Sequence, residues 1–151
     1  LALTPRDLDL DAGTLSVSKS FQSIDGEEVI TEPKTPKSRR VVPVPSKLAA
    51  ELREYMAALY DVGPDDRLFP FTKHYFRREM LKASEAAGVE RIRLHDLRHS
   101  HASLLIHLGC PVLLVSERLG HEDVQTTLRT YGHLYPSTVP EAVKKLDDLM
   151  P

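Results

Sequence analysis

A change of residue pattern near Pro45 constrains the fold of this 151-residue chain more than any other feature. Before it, apolar and polar residues alternate over short stretches, which is typical of half-buried strands. After it, apolar residues recur every three or four positions in stretches that end at glycine or proline, which is typical of amphipathic helices. The sequence therefore predicts an α+β fold that is mainly helical, with a small antiparallel sheet on the N-terminal side packed against a helical bundle.

The N-terminal part contains three strand-like stretches. They read "TLSVSKS", "EVIT" and "RRVVPVP", and a turn around Gly26 separates the first two. Thr4 followed by Pro5 predicts a short helical turn ahead of the first strand. The segment "EPKTPKS", residues 32–38, is called the lysine loop here, and we expect it at a hairpin tip between the last two strands. Pro43 predicts an edge position for the last strand, because proline cannot donate to a central ladder.

The helical part is divided by its capping residues. One helix is expected to begin with Ser46 as its N-cap, and a second is expected to begin near Thr72 and end at Gly88. Three shorter helical stretches follow in "RLHDLRHSHASLLIHLG", "PVLLVSERLG" and "DVQTTLRTYGHL". Thr138 and Glu141 have capping-box spacing ahead of a final helix.

Charge gives a mixed indication of partners. The formal net charge is -2, whereas binding to nucleic-acid phosphates calls for positive potential. The basic residues nevertheless fall into three central clusters, which are Lys34/Lys37/Arg39/Arg40, Lys73/Arg77/Arg78/Lys82 and Arg91/Arg93/Arg98. These clusters either form one basic face or are separate solvated surfaces. No stretch approaches the roughly 18 apolar residues of a membrane span, so we expect a cytoplasmic protein with no membrane partner.

Histidines are concentrated in the second half of the chain. They are His95, His99, His101, His107, His121 and His133. His95 and Arg98 are three residues apart in a predicted helix, so they share one face and can meet a single anion. A guanidinium binds two phosphate oxygens at once, and an imidazole exchanges a proton near neutral pH. The pair is a candidate phosphate site, and two unrelated surface residues are the alternative.

Tyr131 and the lysine loop each allow two interpretations. Tyr131 at the end of a helix can point into a cleft, whereas its place on a stripe with Val124 and Leu128 is typical of a core aromatic. Lys34 and Lys37 either close over a phosphodiester or form a solvated hairpin tip. Taken one at a time, these residues do not decide between the two interpretations.

A zinc hydrolase is an alternative built on the histidines. His95 and His99 have the four-residue spacing of two zinc ligands, and His121 is available as a third. The glutamate of an HExxH motif is missing, because the chain reads "HDLRH" and places Arg98 beside the supposed metal. A cation there repels zinc, so we expect no metal and no cofactor.

Three stretches taken together are more specific. In order, "PKTPKSRRVVPVP", "LHDLRHSHAS" and "LGHEDVQTTLRTYGHL" resemble the tyrosine recombinase, or phage integrase, family over nearly the whole chain. They match its lysine hairpin, its His-x-x-Arg box, its Leu-Gly-His box and its terminal tyrosine box. The resemblance implies the catalytic core of a DNA breaking-rejoining enzyme that carries out site-specific recombination, integrating or excising a mobile element.

The resemblance also implies a role for each matching residue. Tyr131 attacks the scissile phosphate and forms a 3′-phosphotyrosyl intermediate. Arg98 and His121 stabilise the charge on the phosphate oxygens, and His95 transfers protons. Lys34 protonates the leaving 5′-oxygen, with Lys37 as the alternative. The expected DNA-binding residues are Lys37, Arg39, Arg40, Lys73, Arg77 and His133.

The same resemblance sets expectations for domains and partners. Residues 1–151 are expected to be the C-terminal catalytic domain, beginning just after the first catalytic arginine box, without the upstream core-binding and arm-binding domains and therefore inactive alone. Expected partners are double-stranded DNA at attachment sites, other protomers in a synaptic tetramer, and accessory DNA-bending or directionality proteins near the nucleoid. A recombinase relative that only binds DNA and a chromosome-dimer resolvase are the alternatives.

Overall fold

The computed structural model describes residues 1–24, 27–33, 35–136 and 139–149, and only the backbone of Ser23, Glu141 and Ala142. Its first element is a single 3-10 turn, Pro5–Asp7, as the Thr4-Pro5 pair predicts. The backbone nitrogen and the hydroxyl of Thr4 each lie 2.9 Å from one carboxylate oxygen of Asp7 and donate to it. Both bonds run from Thr4 to Asp7, and they close the turn that leads into the sheet.

The strands form two antiparallel sheets. Their bounds are β1 Leu8–Asp9, β2 Thr14–Val17, β3 Ser20–Ile24, β4 Glu27–Thr31 and β5 Arg40–Pro43. One sheet has the order β1-β2-β5, and the other consists of β3 and β4. Leu15 faces Val42 across the first sheet, and Phe21 faces Ile30 across the second.

The prediction of a single sheet with the lysine loop at a hairpin tip is wrong. Strand β5 pairs with β2, whereas β4 pairs with β3, so the loop connects two different sheets. Sequence pattern reveals which residues alternate in a strand but not which distant strand they pair with. The edge position predicted from Pro43 is confirmed, since β5 lies at the end of its sheet. Gly26 and Lys34 lie outside the described residues.

Six α-helices lie in the described part of the chain after Pro45. Their bounds are α1 Ser46–Ala58, α2 Lys73–Ala87, α3 Asp96–His107, α4 Val112–Leu119, α5 Val124–Tyr131 and α6 Val139–Asp147. The Thr72 hydroxyl caps α2 by accepting from the backbone of Tyr75 at 3.1 Å, and Gly88 ends that helix with φ 65°. Ser46 is the first helical residue rather than the cap, which is Pro45. The predicted capping box at Thr138 and Glu141 lies outside what the structure describes.

Helices α3, α4 and α5 form a corner with a buried apolar cluster inside it, called the helical corner below. The cluster consists of Ala102, Ile106, Val115, Leu119 and Tyr131, each at most 4% exposed. Cys110, which lies between α3 and α4, is half-buried against the cluster. The observed fold confirms the predicted class, with a small sheet region on the N-terminal side of a mainly helical chain. None of the described helices is long and apolar enough to cross a membrane.

Candidate active site

The turn before α3 places three candidate residues at the start of that helix. The Asp96 carboxylate accepts from the backbone nitrogen of Arg93 at 2.7 Å and from its guanidinium at 3.0 Å, which closes the turn. This hydrogen bonding lowers the pKa of Asp96. His95 is exposed just ahead of the helix, whereas Arg98 and His99 are half-buried within its first turn.

Arg98 is anchored to the end of α4. Its Nη2 donates to the backbone carbonyl of Leu119 at 2.5 Å, where unpaired carbonyls and the helix dipole favour a cation. A guanidinium carries several N–H donors, so this bond leaves donors free to bind an anion. The side chain is therefore fixed in position between α3 and α4.

Tyr131, the last residue of α5, is part of the core and part of the site. Only 4% of it is exposed, because its ring packs into the cluster of the helical corner. Its phenolic oxygen nevertheless lies 2.8 Å from Nδ1 of His99, within hydrogen-bond distance. Burial raises the pKa of Tyr131, and the nearby Arg98 guanidinium opposes that shift. The structure therefore places Tyr131 as a core aromatic with its hydroxyl against His99, and its role as a nucleophile stays a prediction.

His121 follows α4 and points back towards the same corner. Its Nδ1 lies 2.7 Å from the hydroxyl of Thr127, which is completely buried on α5. Burial lowers the pKa of His121, and the positive charges of Arg98 and Arg40 lower it further. Arg98 and His121, predicted to share a phosphate, are thus close enough to influence each other electrostatically.

Gly120 allows the sheet to approach this corner. It ends α4 with φ 69°, and a Cβ at this position would lie 2.6 Å from Nη1 of Arg40. Arg40 is half-buried on β5, where its Nε donates to the carbonyl of Arg118 at 2.9 Å and its Nη1 to the carbonyl of Ser38 at 3.1 Å. These bonds connect the lysine loop to α4. The predicted DNA contact by Arg40 stays a prediction, with two of its donors already bonded within the chain.

A second arginine also connects α4 with β5, but here the donor is on α4 and the acceptor is on β5. Arg118 on α4 donates through Nη1 to the carbonyl of Pro43 on β5 at 2.9 Å. Its Nε donates to Nε2 of His101 on α3 at 3.0 Å. Burial and the charge of Arg118 both lower the pKa of His101. Arg118 therefore links α4 to α3 and to β5. The sequence did not indicate this role.

The described part of the lysine loop lies against the residues after α4. Lys37 donates through Nζ to the carbonyl of Glu122 at 2.6 Å. A cavity of about 470 Å³ opens here, with Lys37, Arg40 and His121 in its lining. Arg39 also lines this cavity and forms an exposed ion pair with Glu32. Lys34, the predicted acid, is outside the described residues.

The remaining predicted DNA-binding residues lie on two other surfaces. Lys73 and Arg77 on α2 line a groove of about 670 Å³ together with His95. Arg91 and Arg93 also line it, but they are engaged in ion pairs with Glu85 and Asp96. His133 is exposed in the 3-10 turn Gly132–Leu134 that follows α5. The structure thus brings Lys73 and Arg77 to the predicted site residue His95.

His99 is the site residue that the sequence reasoning missed. It was considered only as a zinc ligand, yet its ring lies 4.9 Å from that of His95 and contacts Tyr131. The signal was present in "HDLRH", since a residue four positions after His95 lies on the same helix face. Among the described residues, no group of three or more histidine, cysteine, aspartate or glutamate side chains is placed to hold a metal ion.

Comparisons with known proteins agree on one family. Residues 1–138 match the model of the phage integrase family. The chain is 38% identical over 163 residues to the ICEBs1 integrase of Bacillus subtilis (strain 168), with 99% of this chain and 44% of that protein covered. It is 27% identical to the integrase of Staphylococcus phage L54a, with 99% and 47% covered. The chain thus spans less than half the length of these relatives.

Solved structures show the same fold. The Tn1549 transposon integrase in complex with a circular intermediate DNA aligns with a TM-score of 0.73 at 22% identity, over 99% of this chain and 52% of that one. The XerA recombinase aligns with a TM-score of 0.66 at 21% identity, over 95% and 50%.

Proposed function

Because this chain belongs to the phage integrase family of tyrosine recombinases, we propose that it is the catalytic core of a site-specific recombinase that integrates or excises a mobile element. One observation carries the proposal. The phenolic oxygen of Tyr131 lies where helices α3, α4 and α5 meet, within hydrogen-bond distance of His99 and close to Arg98. A nucleophile and a cationic group for a phosphate therefore share one corner.

The proposed cleavage is a displacement at phosphorus. The Tyr131 oxygen forms a bond to the scissile phosphate, the bond to the 5′-oxygen breaks, and a 3′-phosphotyrosyl link remains. The energy of the phosphodiester is kept in that link, so a 5′-hydroxyl from the partner duplex can reverse the step and rejoin strands. The 5′-oxygen receives its proton from the lysine loop, where Lys34 is the proposed acid and Lys37 the alternative.

The proposed role of the cations is to stabilise the transition state. Negative charge grows on the non-bridging oxygens, and donors fixed beforehand stabilise it without reorganising. Arg98 is fixed by its bond to the Leu119 carbonyl, and His121 by its bond to Thr127. His95, exposed at the start of α3, is proposed to contact the same phosphate and to exchange protons.

Double-stranded DNA is the proposed partner. Lys73 and Arg77 in the groove beside His95 would contact the phosphate backbone, which positions a duplex without reading its sequence. Two relatives that match 99% of this chain, the ICEBs1 integrase and the integrase of Staphylococcus phage L54a, support a mobile element over a chromosome-dimer resolvase. Recombination further requires neighbouring protomers, which we propose to assemble as a tetramer on two sites.

The test is formation of a covalent adduct. The full-length protein that contains this chain first selects its own binding site from randomised duplexes, and that site is then prepared with a nick beside each candidate scissile phosphate. A denaturing gel is expected to show a protein–DNA adduct that Tyr131→Phe abolishes. Tyr135→Phe is the matched control, because the buried Tyr135 hydroxyl has no hydrogen-bond partner in the described structure.

The outcomes separate the two classes of function. An adduct that survives in Tyr135→Phe and disappears in Tyr131→Phe supports the recombinase. Salt-sensitive DNA binding without any adduct would instead support a relative that only binds DNA. An adduct that persists in Tyr131→Phe would contradict the assignment of the nucleophile.

A further inference from the structure

We propose that His99 is the base that accepts the phenolic proton of Tyr131 during cleavage, an inference that rests on the proposed function. Nδ1 of His99 lies 2.8 Å from the phenolic oxygen, so the proton has a short direct path. Among the residues that the structure describes, no other side chain is hydrogen-bonded to that oxygen. The contact joins the first turn of α3 to the last residue of α5.

The buried phenol needs a base. A phenol has an ordinary pKa near 10, and burial raises the pKa of Tyr131 above that value although Arg98 acts against the shift. The fraction of tyrosinate at neutral pH is therefore very small. The proton has to leave as the new bond forms, and an imidazole is the side chain best suited to take it near neutral pH.

The other histidines near the site are less well placed for this step. His121 has its Nδ1 bonded to the Thr127 hydroxyl. His95 is exposed, and its ring stands edge-on to His99 at 4.9 Å. Among the described residues, His99 and not His95 is hydrogen-bonded to the phenolic oxygen. This geometry leaves His95 free to contact the phosphate, while His99 serves the nucleophile.

The proton and bond changes balance. In cleavage, the Tyr131 oxygen bonds to phosphorus, the bond from phosphorus to the 5′-oxygen breaks, and the phenolic proton moves to Nδ1 of His99. With Nε2 already protonated, His99 becomes an imidazolium ion. The 5′-oxygen takes a proton from the lysine loop. In rejoining, the imidazolium returns its proton to the departing Tyr131 oxygen.

The groups around His99 decide how readily it takes up charge. Asp96 lies one turn earlier on the same helix, close enough for the charge of His99 to affect its own pKa, and would stabilise the imidazolium. Arg98 next to it opposes the imidazolium, and His95 does so when protonated. Tyr131 is the titratable group that faces it from α5. The Asp96 carboxylate also forms an ion pair with Arg93, and this pairing reduces its stabilising effect on the His99 imidazolium.

The experiment measures the rate of adduct formation against pH with the full-length protein and the nicked duplex described above. His99→Asn keeps an acceptor near the position of Nδ1 but cannot take a proton. We expect its cleavage rate near neutral pH to fall about 100-fold. The deficit should narrow as pH rises, because hydroxide then replaces the lost base. His107→Asn, an exposed histidine at the other end of α3, is the matched control.

A substrate with sulfur at the leaving position distinguishes the proposed base, His99, from the proposed acid in the lysine loop. A thiolate leaves without a proton, so sulfur in place of the bridging 5′-oxygen removes the need for an acid but not for a base. His99→Asn is expected to remain slow on this substrate, whereas loss of the lysine acid is expected to be rescued. If His99→Asn does not fold, His99→Gln takes its place in the same measurements, with DNA affinity as the check on folding.

Failure of this inference is distinguishable from failure of the proposed function. An unaltered protein that forms no adduct, or one that forms it without Tyr131, overturns the function. If the adduct at Tyr131 forms normally and His99→Asn cleaves at an unchanged rate, His99 is not the base. A deficit of the same size at every pH would show a merely structural role and would also overturn the inference.

Discussion

The helical corner and the lysine loop are held in different ways. In the corner, Tyr131 is fixed by burial among apolar side chains of three helices that follow one another directly. The loop is held by side chains that donate to backbone carbonyls far away in sequence, through Arg40 to Arg118 and through Lys37 to Glu122. Nearby packing therefore positions Tyr131, the proposed nucleophile, whereas a few long-range hydrogen bonds hold the described part of the lysine loop.

The difference has a physical consequence for stability. Apolar burial is distributed over many contacts and contributes about 1.5–3 kcal/mol for each large side chain. A single hydrogen bond contributes about 0.5–1.5 kcal/mol, and the loss of one can release the segment that it holds. The described part of the lysine loop should therefore be easier to displace than Tyr131 without unfolding the chain.

The largest expected effect comes from removing packing around Tyr131, the proposed nucleophile. Ile106 is 3% exposed in the cluster that holds Tyr131, so Ile106→Ala should lower the free energy of unfolding by about 2–5 kcal/mol. Val41→Ala on β5 is the control, since Val41 is 64% exposed and should cost less than about 0.5 kcal/mol. Urea unfolding measures both variants. Equal losses would contradict the distinction between the two regions.

A pair of glycines tests the contact between the regions. Gly120 and Gly88 both end helices with positive φ, so replacement by alanine strains the backbone at either position by about 1–2 kcal/mol. Only at Gly120 would the added Cβ also meet Arg40, whereas nothing lies within 4 Å at Gly88. Gly120→Ala should therefore be the more destabilising of the two in urea unfolding, and it should also slow adduct formation. The close approach of Arg40 would be refuted if the two variants lost the same stability.

Acid should weaken the structure through two histidines that are hydrogen-bonded within the helical corner, His101 to Arg118 and His121 to Thr127. Burial and neighbouring arginines lower the pKa values of His101 and His121 below the ordinary imidazole value of 6.5. The unfolded chain then binds protons more readily than the folded one, so stability is retained above that value and decreases as pH falls below it. Melting temperatures between about pH 7 and about pH 5 measure the effect. The decrease should be smaller in His101→Gln, and a decrease of unchanged size would contradict this origin.

The sequence predicts the helices of the corner, and in the sheet region it predicts the strands but not their pairing. The ends of helices follow from local signals such as Gly88 and the Thr72 cap. The residues of the helical corner lie within short motifs, and their spacing determines which of them share a helix face. The pairing of β5 with β2 depends on contacts across the intervening strands, which no local pattern encodes. The carbonyl bonds of Arg40 and Arg118 were missed for the same reason.

His99 was missed for a different reason. Its position on the face of His95 was readable from four-residue spacing, but its partner Tyr131 lies 32 residues later on another helix. Only the packing of α3 and α5 against α4 brings the two together. The tyrosine was likewise ambiguous, because a buried aromatic and a nucleophile leave the same pattern in a helix.

The central claim is that Tyr131 is the residue that becomes linked to DNA. The most direct measurement is mass spectrometry of the protease-digested adduct, which identifies the residue that carries the nucleotide. The account predicts a 3′-phosphonucleotide on the peptide that contains Tyr131 and an unmodified Tyr135. A nucleotide on any other residue, or a 5′-phosphate in the link, would contradict it.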